Sequence, residues 1–298
     1  YIDMSEFEYM GKISSGAGAF DNFKSGDVVK GTKEFLESNS LVAKIAFLLL
    51  VLVVFVIAVK FSSRILSWLF SYNQSPYLVD GMINSKKQMV IIPQDPNSNG
   101  SIPIVRSDNE ERGIEFTYST WIFIDDLVYQ EGQYRHIFHK GNDNINYTEQ
   151  PIGMNQPNNA PGLYIAPNTN ALVVVMNTFN DIEERVTIDD IPLNKWVCVQ
   201  IRVENHQLDT YINGKLTKRL IMKGVPKQNY GNVYVGMNGG FSGYLSNLRY
   251  FNYGLGTSEI QNIVDSGPNL TMNSSDMTES MPKYLSLRWF FDGNGAGI

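Results

Sequence analysis

The sequence predicts a mainly β protein, a two-layered antiparallel sandwich, preceded by a single membrane-spanning α-helix. Three observations carry this expectation. Residues 41–59 read LVAKIAFLLLVLVVFVIAV, with one charge in the whole stretch. From Ile114 onward, short apolar runs recur at strand length between turn residues, the pattern of a β-sandwich. Only 18% of the 298 residues are charged while Gly and aromatic residues are plentiful, which suits a loop-rich β protein.

The chain opens on Tyr1, so a start further upstream is expected. Residues 1–40 form an N-terminal segment, partly helical, with Gly and Ser between 11 and 18 and then Val28, Val29, Phe35 and Leu36 at helical spacing. The apolar stretch from Leu41 to Val59 would extend about 28 Å as a helix, close to the ~30 Å bilayer core. Lys44 lies one turn from its start, where its stem can carry the ammonium to the headgroups. Lys60, Arg64 and Trp68, with Tyr72 and Tyr77, are expected as interfacial anchors at the other end. Ile65, Leu66, Leu69 and Phe70 extend the apolar pattern to residue 70. The lysines and arginine on the two flanks balance, leaving the orientation open. Residues 71–104 read as a connector broken by Pro76, Pro93 and Pro96, with a short strand at 89–92.

Individual strands follow from pattern. Residues 162–166 and 171–176 are strand-like, joined by Pro167-Asn168-Thr169-Asn170. Val197, Val199, Ile201 and Val203 alternate with Cys198, Gln200 and Arg202, the period of a half-buried strand. Asn213-Gly214 between Tyr211-Ile212 and Lys215-Leu216 marks a hairpin, because both residues accept the positive φ of a type I′ turn. Ser258 and Gln261 fit a capping box opening a short helix with Ile260, Ile263 and Val264 on one side. Trp121 and Trp196 lie inside strand blocks and are expected in the core. A lone Cys198 excludes an internal disulfide and favours a reducing or shielded compartment. A net charge of -6 gives no reason to expect nucleic acid. The basic run Lys215, Lys218, Arg219, Lys223 and Lys227 reads as the solvated face of a hairpin.

Several blocks together are similar to one family. FTYSTW at 116–121 with HIFHKG at 136–141, then IPLNKW at 191–196 with YINGK at 211–215, then VYVG at 233–236 with FSGYLSNLRY at 241–250 and SEIQ at 258–261, occur in the order of laminin-G-like, concanavalin A-like lectin/glucanase domains. The resemblance covers 105–268, leaving 269–298 as a C-terminal extension that includes an aromatic strand-like block at 284–291. It implies a jelly-roll of two curved antiparallel sheets. The fuller wording with an upstream span resembles membrane proteins of large DNA viruses, particularly those of algae. It implies a single-pass protein of the virion inner membrane beneath the capsid, with a minor capsid role, whose partners are the lipid bilayer and other capsid or membrane proteins.

Chemistry is sparse. Asp125-Asp126, Glu183-Glu184 and Asp189-Asp190 are adjacent pairs, which on a strand point oppositely and cannot flank one glycosidic bond; each reads as a solvated turn, and no enzyme is expected. His136 and His139 lie three apart in a strand and are expected on opposite faces, unsuited to a shared metal; His206 falls in a turn. No cofactor is expected beyond calcium, for which Asn142, Asp143, Asn144, Asn177 and Asn238 are the oxygen-bearing candidates. Carbohydrate is the alternative partner, with Tyr147, Phe179 and Phe241 as the aromatic candidates.

Overall fold

The computed structural model describes residues 41–69, 73–107, 109–110 and 113–272. The expected helical spacing at 28–36, the block at 284–291, and Phe70 and Tyr72 lie outside the described residues. The chain divides into two compact units, 1–71 and 72–298.

In the first unit, helix α1 (Leu41–Leu69) runs 29 residues, about 43 Å at 1.5 Å per residue. It continues ten residues past Val59 because neither Pro nor Gly interrupts it. It is long and apolar enough to cross a membrane, and no part of its most apolar stretch is buried. Lys44, Lys60, Arg64 and Trp68 are all exposed along it.

The second unit is a sandwich of two antiparallel sheets. One runs β1 (Tyr77–Asn84), β13 (Gly243–Phe251), β4 (Gly113–Ile124), β9 (Trp196–Glu204), β10 (Gln207–Ile212), β11 (Lys215–Ile221), with β3 (Asn109–Glu110) beside β4. The other runs β2 (Val90–Ile92), β12 (Asn232–Val235), β5 (Arg135–Gly141), β6 (Gly162–Ile165), β7 (Leu172–Met176), β8 (Glu184–Ile188). Within the segment expected as a connector, β2 is the short strand expected at 89–92, and β1 is a second, unexpected strand. Its period-2 signal is lost because β1 slips register twice against β13 and passes through Gly81 at φ 91. Beyond the family-like region, Met82 N–H donates to the Thr271 carbonyl (2.7 Å), so the chain returns along β1.

Val197, Val199, Ile201 and Val203 of β9 face the inter-sheet core with Phe116, Tyr118 and Ile122 of β4 and Leu163, Leu172 and Val174 of the opposite sheet. The other face of β9 is not the solvated one its polar residues suggest. Cys198 and Gln200 are fully buried, because helix α2 (Thr257–Ser266) lies over them and Gln200 Nε2 donates to the Ile260 carbonyl. Burial pushes the Cys198 thiol up to about 12, holding it as an inert thiol. Trp121 is buried on that same outer face and Trp196 only half-buried against Phe123, so neither joins the inter-sheet core. The cap of α2 also differs from expectation: the helix begins at Thr257, so Ser258 is already inside it. The Gly256 N–H donates to the Glu259 carboxylate (2.9 Å), while Gln261 bonds Asp265. The Asn213-Gly214 turn forms as expected, with φ of 48° and 80° and Ile212 paired to Lys215.

The outer face of the second sheet is covered as well. Residues 142–161 fold back over it, burying Met154 against Tyr164, Val173 and Val175. Strands β5, β6 and β7 are consequently buried along their whole length.

Candidate functional site

The loops that follow β5 and β7 gather at one end of the sandwich, and asparagine amides hold them. Asn142 Oδ1 accepts from Asn155 Nδ2 and the Asn158 N–H (both 3.2 Å), while its own amide donates to the Gln156 carbonyl. Asn177 accepts from the Asn159 N–H and donates to the carbonyls of Pro157 and Ile182. Asn159 Nδ2 reaches the Asn155 carbonyl (2.7 Å), and Tyr164 donates to Asn159 Oδ1 (2.5 Å). A buried amide that meets donors and acceptors on several loops fixes them together.

The five calcium candidates are not brought into one cluster. Asn142 and Asn177 commit their side-chain oxygens to backbone or amide N–H groups of the loop. Asp143 and Asn144 are exposed. Asn238 sits in the β12–β13 connection, where its carbonyl accepts from Gln130 Nε2 (2.6 Å), beyond the start of β5 rather than its end. Among the described residues, no group of three or more His, Cys, Asp or Glu side chains is placed to hold a metal ion.

His136 and His139 correct the strand-parity argument. A bulge between His136 and Phe138 turns both Ile137 and Phe138 inward, so the two histidines share the outer face, with Nε2 of His136 2.6 Å from Nδ1 of His139. The Met237 N–H donates to His136 Nδ1 (3.0 Å). That leaves the proton of neutral His136 on Nε2, donated to His139, whose own Nε2 donates to the Asn142 carbonyl (2.7 Å). Every ring nitrogen is satisfied only when both rings are neutral. Burial drives both downward, His136 well below the usual imidazole range and His139 to about 4. Tyr164 and Tyr234 pack on the pair.

One or both members of two of the acidic pairs are held within the fold. Glu184 is not in a solvated turn: it lies in β8, buried, accepting from Thr178 Oγ1 (2.8 Å) and the Lys223 N–H (2.9 Å). Glu183 pairs with Arg185 (2.5 Å). Asp126 caps the turn at Val128 and Tyr129 and accepts from Ser242 (2.6 Å), which hold its carboxyl below the usual range. Asp189 and Asp190 are exposed.

Of the aromatic candidates, Phe241 is fully buried in the inter-sheet core and has no face to offer a ligand. Tyr147 and Phe179 are exposed, at 63% and 72%. Phe179 stands on a loop pinned from several sides. Its N–H donates to the Val225 carbonyl (3.1 Å), Asn180 Nδ2 reaches the Lys223 carbonyl, Thr178 and Asp181 bond reciprocally, and Lys223 pairs with Asp181 (2.8 Å). Ile182 is exposed on the same loop. The basic run is largely solvated as expected, except that Arg219 reaches back to the buried Asp209 (2.6 Å) and Lys223 pairs with Asp181.

A family profile described as the concanavalin A-like lectin/glucanases superfamily matches residues 97–261, more than half of the chain. Among solved structures, the botulinum neurotoxin serotype D ligand-binding domain in complex with N-acetylneuraminic acid is similar with a TM-score of 0.45 at 15% identity, over 66% of this chain and 44% of that one. The receptor-binding domain of botulinum neurotoxin D gives 0.46 at 15% identity, over 66% and 45%. The binding domain of botulinum neurotoxin DC in complex with rat synaptotagmin II gives 0.39 at 20%, over 51% and 36%. This chain spans less than half the length of each. No curated protein matches its sequence.

Proposed function

The chain belongs to the concanavalin A-like lectin/glucanases superfamily, and from that premise we propose that it is a membrane-anchored, non-catalytic binding module. Helix α1 holds it in the bilayer, and the sandwich contacts neighbouring proteins. The resemblance of its sequence to membrane proteins of large DNA viruses extends the proposal to a minor capsid role beside the virion inner membrane. The observation that carries the binding role is the 177–183 loop. Its backbone is immobilised by hydrogen bonds to 223–227, yet Phe179 and Ile182 project into solvent. An exposed aromatic on a pre-ordered loop loses little entropy when a partner covers it, the property of an interface anchor. The acids support a non-catalytic reading, since Glu183, Glu184 and Asp126 are committed to hydrogen bonds or ion pairs within the fold.

Protease treatment of intact and detergent-opened particles carrying the full chain tests this. The sandwich should be shielded in the intact particle and cut after detergent. Cleavage in the intact particle, with glycan-array binding lost on Phe179→Ala, would instead establish the carbohydrate alternative.

A further inference from the structure

Between the sheets, where β5 ends, a cavity of about 380 Å³ opens to solvent. Its floor is aromatic: Phe116, Tyr118 and Tyr250, themselves buried, underlie it with Tyr118 and Tyr250 centroids 5.0 Å apart, and the half-buried Ile104 lines its wall. Tyr230, 90% exposed, and Arg106 stand at its mouth. Lys140 points into the same space from β5 and is only 7% exposed. Its ammonium donates to the Gly231 carbonyl (2.6 Å) and forms no ion pair with any described residue. Arg106 likewise has no ion-pair partner among the described residues. The one carboxylate in the described lining, Asp95, is turned into its own loop, accepting from the Asn97 N–H and amide (2.9 and 3.1 Å). Two cations, one of them buried, thus share an aromatic cavity in which no described carboxylate is ion-paired with either.

A buried ammonium without a counter-ion is costly, and an apolar side chain of similar length would avoid the penalty. Burial alone lowers Lys140 to about 8, so the site keeps a positive charge at neutral pH while weakening the fold there. An incoming anion would reverse that. Arg106 is exposed and solvated by water, so only the Lys140 charge is left uncompensated, and a single negative charge matches it. The planar guanidinium of Arg106 can close on a carboxylate from the solvent side. We propose that this cavity binds a small amphipathic carboxylic acid, its carboxylate on Lys140 and Arg106 and its apolar body against Ile104 and Tyr230, above the buried aromatic floor.

The test uses the full chain in lipid nanodiscs, with empty nanodiscs as blank, and reads affinity by calorimetry and ligand-detected NMR. Two probes, 4-phenylbutyrate and hexanoate, are each compared with the corresponding neutral amide; which of them binds distinguishes an aromatic from an acyl ligand. At least one acid should bind ten-fold or more tightly than its amide. That preference should fall below three-fold in Lys140→Met, and Arg106→Gln should weaken the acid at least three-fold while leaving the amide unchanged. Binding of neither acid, equal binding of acid and amide, or a preference retained in Lys140→Met each overturns the proposal. Should Lys140→Met fail to fold, Arg106→Gln decides alone, and an unchanged acid affinity overturns it.

Discussion

Strand β5 carries a buried cation at each end, and the two are treated differently. Arg135, fully buried, donates to four carbonyls: Tyr129 (2.8 Å), Ala166 (2.7 Å), Leu127 (2.5 Å) and Pro167 (3.0 Å). Its guanidinium ties the β4–β5 connection to the β6–β7 turn and closes that end of the sandwich. Lys140, five residues on, has one carbonyl and an open cavity beside it. The five donors of a guanidinium suit a carbonyl cage, while an ammonium with donors to spare suits a site that receives something. One end of the sandwich is therefore finished by its own chain, while at the other no described carboxylate pairs with the cation.

That contrast can be broken by substitution. Arg135→Met should cost about 4 kcal/mol or more, because it strands several buried carbonyls at once; urea unfolding of the detergent-solubilised full chain measures it, and a loss under 1 kcal/mol would remove Arg135 as the closing element. The next effect comes from the histidine pair between them. Both rings titrate near 6.5 when unfolded and are held neutral in the fold, His139 down to about 4. Above pH 6.5 neither state binds the protons. Below it the unfolded chain takes them up and the folded chain resists, so stability is lost as the pH falls toward 4. A loss of about 2–3 kcal/mol between pH 7 and 4.5 is expected from His139 alone, and it should shrink in His139→Phe. A profile of equal slope in that variant would contradict the assignment.

Lys140→Met should move stability the other way, raising it by about 1 kcal/mol at pH 7 as an uncompensated buried charge is removed. A loss above 2 kcal/mol would place Lys140 with Arg135 as a structural cation. The smallest stability effect belongs to Phe179→Ala, which should stay within about 0.5 kcal/mol of the parent, as an exposed side chain does. Its consequence should appear only in cross-linking to partners, where loss of the adduct is the expected readout.

Pattern within a strand was legible in the sequence; what covers a strand was not. The inward set Val197, Val199, Ile201 and Val203 and the Asn213-Gly214 turn follow from local chemistry and stand as read. Cys198 and Gln200 looked outward because nothing in their own neighbourhood reveals that residues 257–266 return over them. The bulge at Ile137 carries no residue that marks it, and one extra residue reverses parity for every position after it. That slip sets both histidines on the outer face and Lys140 into the interior, and it concealed the cavity from a strand-by-strand reading. Of the site candidates, Tyr147 and Phe179 were identifiable as aromatic residues in polar loops, whereas Phe241 sits after Gly240 at φ 58, a turn that drives it into the core. The asparagine-rich segment after β5 was recognisable as a loop, but its role in pinning 177–183 depends on contacts across chain distances that no local pattern encodes.

The most direct test of the open end is the titration of the Lys140 ammonium itself, followed by NMR on the full chain with isotope-labelled lysine and Lys140→Met for assignment. The structure predicts a midpoint of about 8 in the free protein. A midpoint near the ordinary lysine value of about 10.5 would mean the charge is already compensated, and the contrast with Arg135 would fall.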